Sequence, residues 1–235
     1  MTESFDDISL PQADGAERAL NDPVARIGLV IGDLTRPDPG WEVDTIVNAA
    51  KESLLGGGGV DGAIHRAAGA RLQRFTATLG GCPTGLAKAS PAFGLEAHGI
   101  ERILHTVGPV WSYGGPGDTS GGYAMPGAPV GEAAQLGYLH EDTLLASCYL
   151  QCLRLAVELG SRVVAFPAIS TGVFRFPKER AAKIAFGHVF GHFAQRPAPE
   201  LPHKVLFVCF NEEDAEVYRD VIQSRAEWMT NRRRV

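Results

Sequence analysis

Four consecutive glycines, Gly56–Gly59, precede Val60, Asp61 and a segment with helical spacing. Ordering a glycine in regular structure costs roughly 0.5–1 kcal/mol more than ordering an alanine. The run therefore indicates that something approaches this backbone closely. Glycine amides can point at an anion, and a helix that follows them adds the positive end of its dipole. The pattern predicts a phosphate-binding loop.

A second stretch of this kind, AISTGVFRFP at Ala168–Pro177, lies between a predicted strand and a predicted helix. Small and hydroxyl residues, Ser170 and Thr171, precede Gly172 in it. Either loop alone could be an ordinary tight connection. Together, at the carboxyl ends of two strands, they could hold a diphosphate from two sides.

The glycine run also satisfies the G-x-G-x-x-G pattern of dinucleotide-binding folds, through Gly57, Gly59 and Gly62. In those folds the first glycine directly ends a strand, and an acidic residue follows about 20 residues later. Here AAKESLL separates the apolar run from the glycines, and no Asp or Glu occurs between Gly62 and Leu95. The match gives weak support for NAD binding. The sequence also lacks a P-loop, an H-E-x-x-H motif and a G-x-S-x-G elbow.

The elements that must position these loops alternate between short apolar runs and segments of helical period. The predicted strands lie within 26–32, 44–50, 101–111, 162–170 and 204–210, and the predicted helices cover 60–69, 70–80, 142–160, 177–195 and 212–229. Continuous apolar strands are typical of a parallel sheet that is covered on both faces. The chain is therefore predicted to be an α/β sandwich with a largely parallel sheet.

Composition narrows the function classes. The chain has 235 residues, 45% of them hydrophobic, which indicates a globular protein of one domain or, less simply, two. Its net charge of −5 argues against duplex nucleic acid as a primary partner. The acidic amino-terminal sequence lacks a signal peptide, and no apolar run could span a membrane, so the cytoplasm is the expected compartment. The four cysteines lack zinc spacing, and Cys148 and Cys152 are expected to be buried. No metal site is predicted.

Three segments fall outside the regular pattern. Residues 1–24 are predicted to be an amino-terminal arm, 112–140 a glycine- and proline-rich insert, and 230–235 a basic tail. The domain proper is predicted to span 25–229.

Seven ordered motifs carry a resemblance to macrodomains of the MacroD type: GDLT at 32–35, IVNAA at 46–50, LLGGGGVDGAIHRAAG at 54–69, GGCPTGLAK at 80–88, HTVGPVW at 105–111, LLASCY at 144–149 and FPAISTGVFRFP at 166–177. The resemblance implies a three-layer α/β/α sandwich around a mixed, largely parallel sheet. It also implies a cleft for ADP-ribose, as ligand or product, with no other cofactor, and an ADP-ribosylated macromolecule as the partner.

The resemblance also implies roles. Asp33 would accept a hydrogen bond from the adenine amino group, Asn48 and Asp61 would lie near the distal ribose, and Phe174 would pack against that ribose. Asp61, or a substrate phosphate, would orient the water that hydrolyses an acyl ester on the ribose. The two loops would donate backbone amides to the diphosphate. Together with Phe174, the other residues implied to bind ADP-ribose are Leu34, Gly56, Gly57, Gly58, Gly59, Val60, Ser170, Thr171, Gly172 and Val173.

Each side chain also has a structural interpretation. Asp33 could cap a turn, Asp61 could be the N-cap of the following helix, and Asn48 could satisfy backbone groups at a strand end. Phe174 could be ordinary core. The two histidines in apolar surroundings, His65 and His105, are expected to be structural.

The sequence departs from the MacroD pattern at Lys51, because N-A-A-N reads N-A-A-K here. An amide donates and accepts hydrogen bonds, whereas an ammonium only donates and adds a charge. Lys51 could pair with Asp61 or with a phosphate, and Arg175 could close over the diphosphate or point to solvent. Two functions follow: a hydrolase of ADP-ribosyl esters with Asp61, Lys51 and Asn48 as catalytic candidates, or a reader that binds ADP-ribose without turnover.

Overall fold

A six-stranded sheet forms the centre of the computed structural model, which describes residues 22–112, 140–196 and 200–232. The strand order is β1-β6-β5-β2-β4-β3, and every pairing is parallel except that of β3 with β4. The strands are β1 (Ile27–Ile31), β2 (Thr45–Ala49), β3 (Ala87–Pro91), β4 (Arg102–Thr106), β5 (Val163–Phe166) and β6 (Lys204–Cys209).

The described residues form five α-helices, of which four lie between strands and the fifth follows β6, and two short 3₁₀ helices at Pro39–Trp41 and Phe93–His98. The α-helices are α1 (Gly59–Ala68), α2 (Ala70–Thr78), α3 (His140–Glu158), α4 (Lys178–Gln195) and α5 (Glu212–Arg232). All ten predicted elements occur. The sequence analysis missed β3, an edge strand whose residues AKASP contain no continuous apolar run. Most of the predicted arm and insert, and part of the predicted tail, lie outside the described residues.

Successive residues of each strand point to opposite faces of the sheet, and both faces are buried. Val47, Leu104 and Phe207 pack in the cluster that includes α3, α4 and α5. Their neighbours Ile46, Ile103 and Leu206 pack in the cluster that includes α1 and α2. Helices therefore cover both faces, which confirms the three-layer α/β/α sandwich with a mixed, largely parallel sheet.

The cysteines are buried and free, as expected for Cys148 and Cys152. Burial raises the pKa of the Cys148 thiol to about 12, so this group stays protonated and unreactive at neutral pH. Across the described ranges, no three His, Cys, Asp or Glu side chains cluster in a way that could hold a metal ion. None of the helices in the described part of the chain is long and apolar enough to span a membrane.

Two glycines inside α4 offer a test of the helix. A Cβ added at Gly187 or Gly191 would meet no heavy atom within 4 Å. We expect Gly187→Ala and Gly191→Ala each to raise the free energy of unfolding by about 0.5–1 kcal/mol, because alanine is easier to order in a helix. Gly160→Ala is the matched control: its Cβ also has free space, but its φ is +71°, so it should destabilise. Urea denaturation measures all three, and a loss of stability in the two α4 variants would contradict the helix.

Candidate functional site

A cleft of about 720 Å³ opens at the carboxyl ends of the parallel strands. It brings together the two predicted loops, which lie more than 100 residues apart in the chain. Twelve of the predicted site residues line it: Asp33, Leu34, Lys51, Gly58, Gly59, Val60, Asp61, Ser170, Thr171, Gly172, Val173 and Phe174. Of the other three, Asn48 is buried behind this wall, while Gly56 and Gly57 do not line the cleft.

The glycine loop leads directly into the amino end of α1. Gly58 is the N-cap residue and makes no side-chain cap hydrogen bond, so the first amides of α1 are available to an anion. Gly56 and Gly59 have positive φ angles of 85° and 59°, a conformation that favours glycine. A Cβ at Gly62 would lie 2.5 Å from the carbonyl oxygen of Gly57, so the helix and the loop can approach only where a side chain is absent.

The second loop stores backbone strain on the opposite side of the cleft. Ser170 and Arg175 adopt left-handed φ angles of 67° and 57°, which cost about 1–3 kcal/mol at a non-glycine residue. Hydrogen bonds from Phe176 N to Ser170 O (3.0 Å) and from Arg175 N to Gly172 O (2.9 Å) hold the turn. Strain of this kind persists where the surrounding structure fixes a functional conformation.

Asp61 is buried at one end of the cleft, and its two carboxylate oxygens differ. Asn48 Nδ2 donates a 2.8 Å hydrogen bond to Oδ1, and His65 Nε2 lies 3.5 Å from the same oxygen. Oδ2 is buried without a hydrogen-bond partner in the described part of the protein. Asp61 is the third residue of α1 and Gly58 is the N-cap, so the interpretation of Asp61 as the N-cap is wrong.

Asn48 does not line the cleft. Its side chain is fully buried and contacts Asp61 on one side and His105 on the other, with 3.1 Å between Asn48 Nδ2 and His105 Nδ1. His105 is also fully buried; burial lowers its pKa to about 3, and the charge of nearby His65 contributes. His105 is therefore neutral at physiological pH, in agreement with a structural role.

Lys51 is exposed at the rim of the cleft. Its Nζ and Asp61 Oδ2 both lie near Gly57: a Cβ added to that glycine would be 3.2 Å from Nζ and 3.0 Å from Oδ2. In the described part of the protein, Lys51 and Asp61 do not form a salt bridge. The direct ion pair, one of the two predicted alternatives for Lys51, is therefore absent here. Arg66 also lines the cleft. Arg175 is exposed and does not line it, which favours the solvent-facing alternative.

Asp33 lies at the far end of the cleft, after β1. Its Oδ1 accepts hydrogen bonds from Thr35 N (2.8 Å) and Thr35 Oγ1 (2.7 Å), so Asp33 does cap a turn. Its Oδ2 makes no hydrogen bond within the described ranges and can accept one from a ligand.

Sequence reasoning missed part of the wall. Phe210 directly follows β6, lines the cleft and is 84% exposed. An aromatic ring therefore lies at the cleft beside the turn of Asp33. An aromatic residue immediately after the last strand was the available signal. The further lining residues that sequence reasoning did not identify are Gly32, Thr35, Ala49, Ala50, Ala63, Arg66, Gly108, Pro167, Ala168, Val208 and Asp214.

Comparisons with known proteins agree with this geometry. A family model described as "Macro domain" matches residues 47–121 and 129–185. A macro domain-containing protein of Mesorhizobium japonicum is 45% identical over 193 residues, 82% of this chain and 91% of the relative. A protein named O-acetyl-ADP-ribose deacetylase from an Enterobacter species is 42% identical over 204 residues, 85% of this chain and 95% of the relative. The Trypanosoma brucei macrodomain, solved in complex with ADP-ribose, superposes with a TM-score of 0.66 at 33% identity, covering 86% of this chain and 71% of that chain.

Proposed function

This chain belongs to the macrodomain family, and we propose that its cleft binds ADP-ribose and hydrolyses ADP-ribosyl esters. The substrates would be mono-ADP-ribosylated acidic side chains or O-acetyl-ADP-ribose. The named deacetylase relatives at about 40% identity and the related structure with ADP-ribose support this proposal. The observation that carries it is the order of groups along the cleft.

That order matches the parts of ADP-ribose. Asp33 and Phe210 stand at one end, where the free Asp33 oxygen can accept a hydrogen bond from the adenine amino group and the ring can stack on the base. The first amides of α1 and the Ser170–Phe174 loop face the middle, where backbone donors suit a diphosphate. Asp61 lies at the other end, where the distal ribose would sit.

Asp61 Oδ2, which is buried but has no hydrogen-bond partner in the described residues, is the candidate general base. It would take a proton from a water molecule as that water attacks the acyl carbonyl, and the tetrahedral intermediate would then expel the ribose hydroxyl oxygen, which is reprotonated. The products would be ADP-ribose and a free carboxylic acid. The Lys51 ammonium would stabilise the negative charge that develops on the carbonyl oxygen.

A non-catalytic reader is the second candidate, and Lys51 is the observation that favours it. The MacroD pattern has asparagine at this position, and an ammonium cannot accept a hydrogen bond from water. In a reader, the same cleft would hold the ADP-ribose of a modified macromolecule without turnover.

Binding is tested with ADP-ribose and two variants of one residue. We expect ADP-ribose to raise the melting temperature more than AMP does, because AMP lacks the diphosphate and the distal ribose. Asp33→Asn keeps the turn-capping oxygen but replaces the free oxygen with a donor, so ADP-ribose affinity should fall about tenfold or more at unchanged stability. Asp33→Ala should lose affinity and also about 1 kcal/mol of stability.

Isothermal titration calorimetry and urea denaturation measure these changes. The absence of a thermal shift at millimolar ADP-ribose would refute the binding proposal. Unchanged affinity in Asp33→Asn would leave Asp33 as a turn cap only.

Turnover is tested at Lys51, with protein carrying ADP-ribosylated glutamate as the substrate. In a hydrolase that uses the ammonium, Lys51→Ala should lower kcat roughly tenfold to a hundredfold with a smaller effect on ADP-ribose affinity, since the interaction forms mainly in the transition state. Lys204→Ala is the control, because Lys204 is exposed at the opposite end of the sheet.

The reader makes the opposite prediction. Wild-type protein would bind ADP-ribose but leave the ester intact, and Lys51→Asn would gain activity. That pair of results would overturn the hydrolase proposal in favour of the reader.

A further inference from the structure

Three polar side chains form a row beneath the cleft, on the face of the sheet that α1 covers. Asn48 of β2 and His105 of β4 are direct partners in the parallel register. Ser90 of β3 lies two residues from Lys88, the antiparallel partner of His105. Residues two apart on a strand share a face, so this row continues the face that buries Ile46 and Ile103. All three side chains are buried.

Hydrogen bonds link the row into one chain with a single direction. The Asn48 amide nitrogen can only donate, and it gives one proton to Asp61 Oδ1 (2.8 Å) and one to His105 Nδ1 (3.1 Å). His105 Nδ1 must therefore accept, and the proton of the neutral ring lies on Nε2. That proton is donated to Ser90 Oγ (2.8 Å), and the Ser90 hydroxyl donates to Pro91 O (3.0 Å).

This series of hydrogen bonds determines which way the Asn48 amide faces. If the amide were flipped, its oxygen would stand against the Asp61 carboxylate, and also against the His105 lone pair as long as Ser90 accepts the Nε2 proton. Asn48 Nδ2 makes the one side-chain hydrogen bond to Asp61 in the described ranges. The orientation of the Asp61 carboxylate thus depends on the amide, the amide on the tautomer of His105, and the tautomer on Ser90.

We propose that Ser90 and His105 are positioning residues for Asp61. They lock the Asn48 amide with its nitrogen toward Asp61, and so leave Asp61 Oδ2 unpaired on the side of Gly57 and Lys51. Neither residue contacts the ligand space, and each acts through Asn48. This inference rests on the ester hydrolysis proposed above.

A pair of serine variants separates positioning from stability. Ser90→Ala removes the acceptor of the His105 proton. Ser161→Ala removes a hydroxyl that is equally buried but accepts from Thr45 Oγ1 (2.8 Å) at the amino end of the strands, away from the cleft. We expect Ser90→Ala to lower kcat about tenfold with little change in KM, while Ser161→Ala leaves kcat unchanged. Ser90→Thr keeps the hydroxyl and should retain activity.

A second measurement uses the wild-type protein and needs no turnover. Nitrogen-15 NMR of the His105 ring, assigned by through-bond correlation to its backbone, reports which ring nitrogen carries the proton. We expect Nε2 to be protonated and Nδ1 to be free. In Ser90→Ala the His105 signals should shift or broaden, whereas in Ser161→Ala they should remain in place.

The outcomes are distinguishable from those of the proposed function. Equal kcat in Ser90→Ala and Ser161→Ala, or a proton on His105 Nδ1, would overturn the positioning role even if the wild-type protein is an active hydrolase. A wild-type protein with no turnover would refute the hydrolase, and with it the catalytic purpose of the row. Nε2 protonation together with a kcat loss confined to Ser90→Ala supports the inference.

Discussion

The close approach of α1 to the glycine loop is the constraint on which the site depends. Gly62 leaves no room for a side chain against the carbonyl oxygen of Gly57, so loop and helix are held backbone to backbone. This contact turns the uncapped amino end of α1 toward the cleft. Because Asp61 directly precedes Gly62, the same contact also places its carboxylate over the end of β2, where Asn48 donates to it.

The buried polar row under Asp61 explains how a carboxylate can remain buried with one free oxygen. Burying a charge is costly unless it is paired or hydrogen-bonded. Within the described ranges, only Oδ1 of Asp61 accepts a hydrogen bond from a side chain, and the donor is the Asn48 amide, which the register of β2 and β4 places beside His105. A neutral His105 is essential to that arrangement, because a protonated ring would donate from both nitrogens and repel the Asn48 amide. Desolvation, which holds the pKa of His105 at about 3, keeps the row in one protonation state across the physiological range.

Local patterns in the sequence were sufficient to predict the two loops, the ten elements and the position of Asp33. Each depends on neighbours in the chain: glycines before a helix, or an aspartate after a strand. The missed features depend on contacts between distant segments. β3 is recognisable only from its pairing with β4, since its own residues lack an apolar run. Asn48 falls behind the wall because the β2–β4 register buries it beside His105, and Phe210 reaches the cleft because β6 lies next to β1 in the sheet.

The substitution at Lys51 costs the free protein little, and its effect should arise in the complex. Lys51 is exposed to water, and an exposed charge interacts weakly with its neighbours, which fits the lack of a contact ion pair with Asp61. A ligand that fills the cleft would exclude that water and lower the local dielectric. The ammonium would then act strongly on Asp61 and on charge developing at the ester. An asparagine at this position would instead act by hydrogen-bond direction. In the proposed hydrolase, Lys51 would therefore exchange a directional contact for an electrostatic one, and that contact would gain strength only when a bound substrate closes the site to solvent.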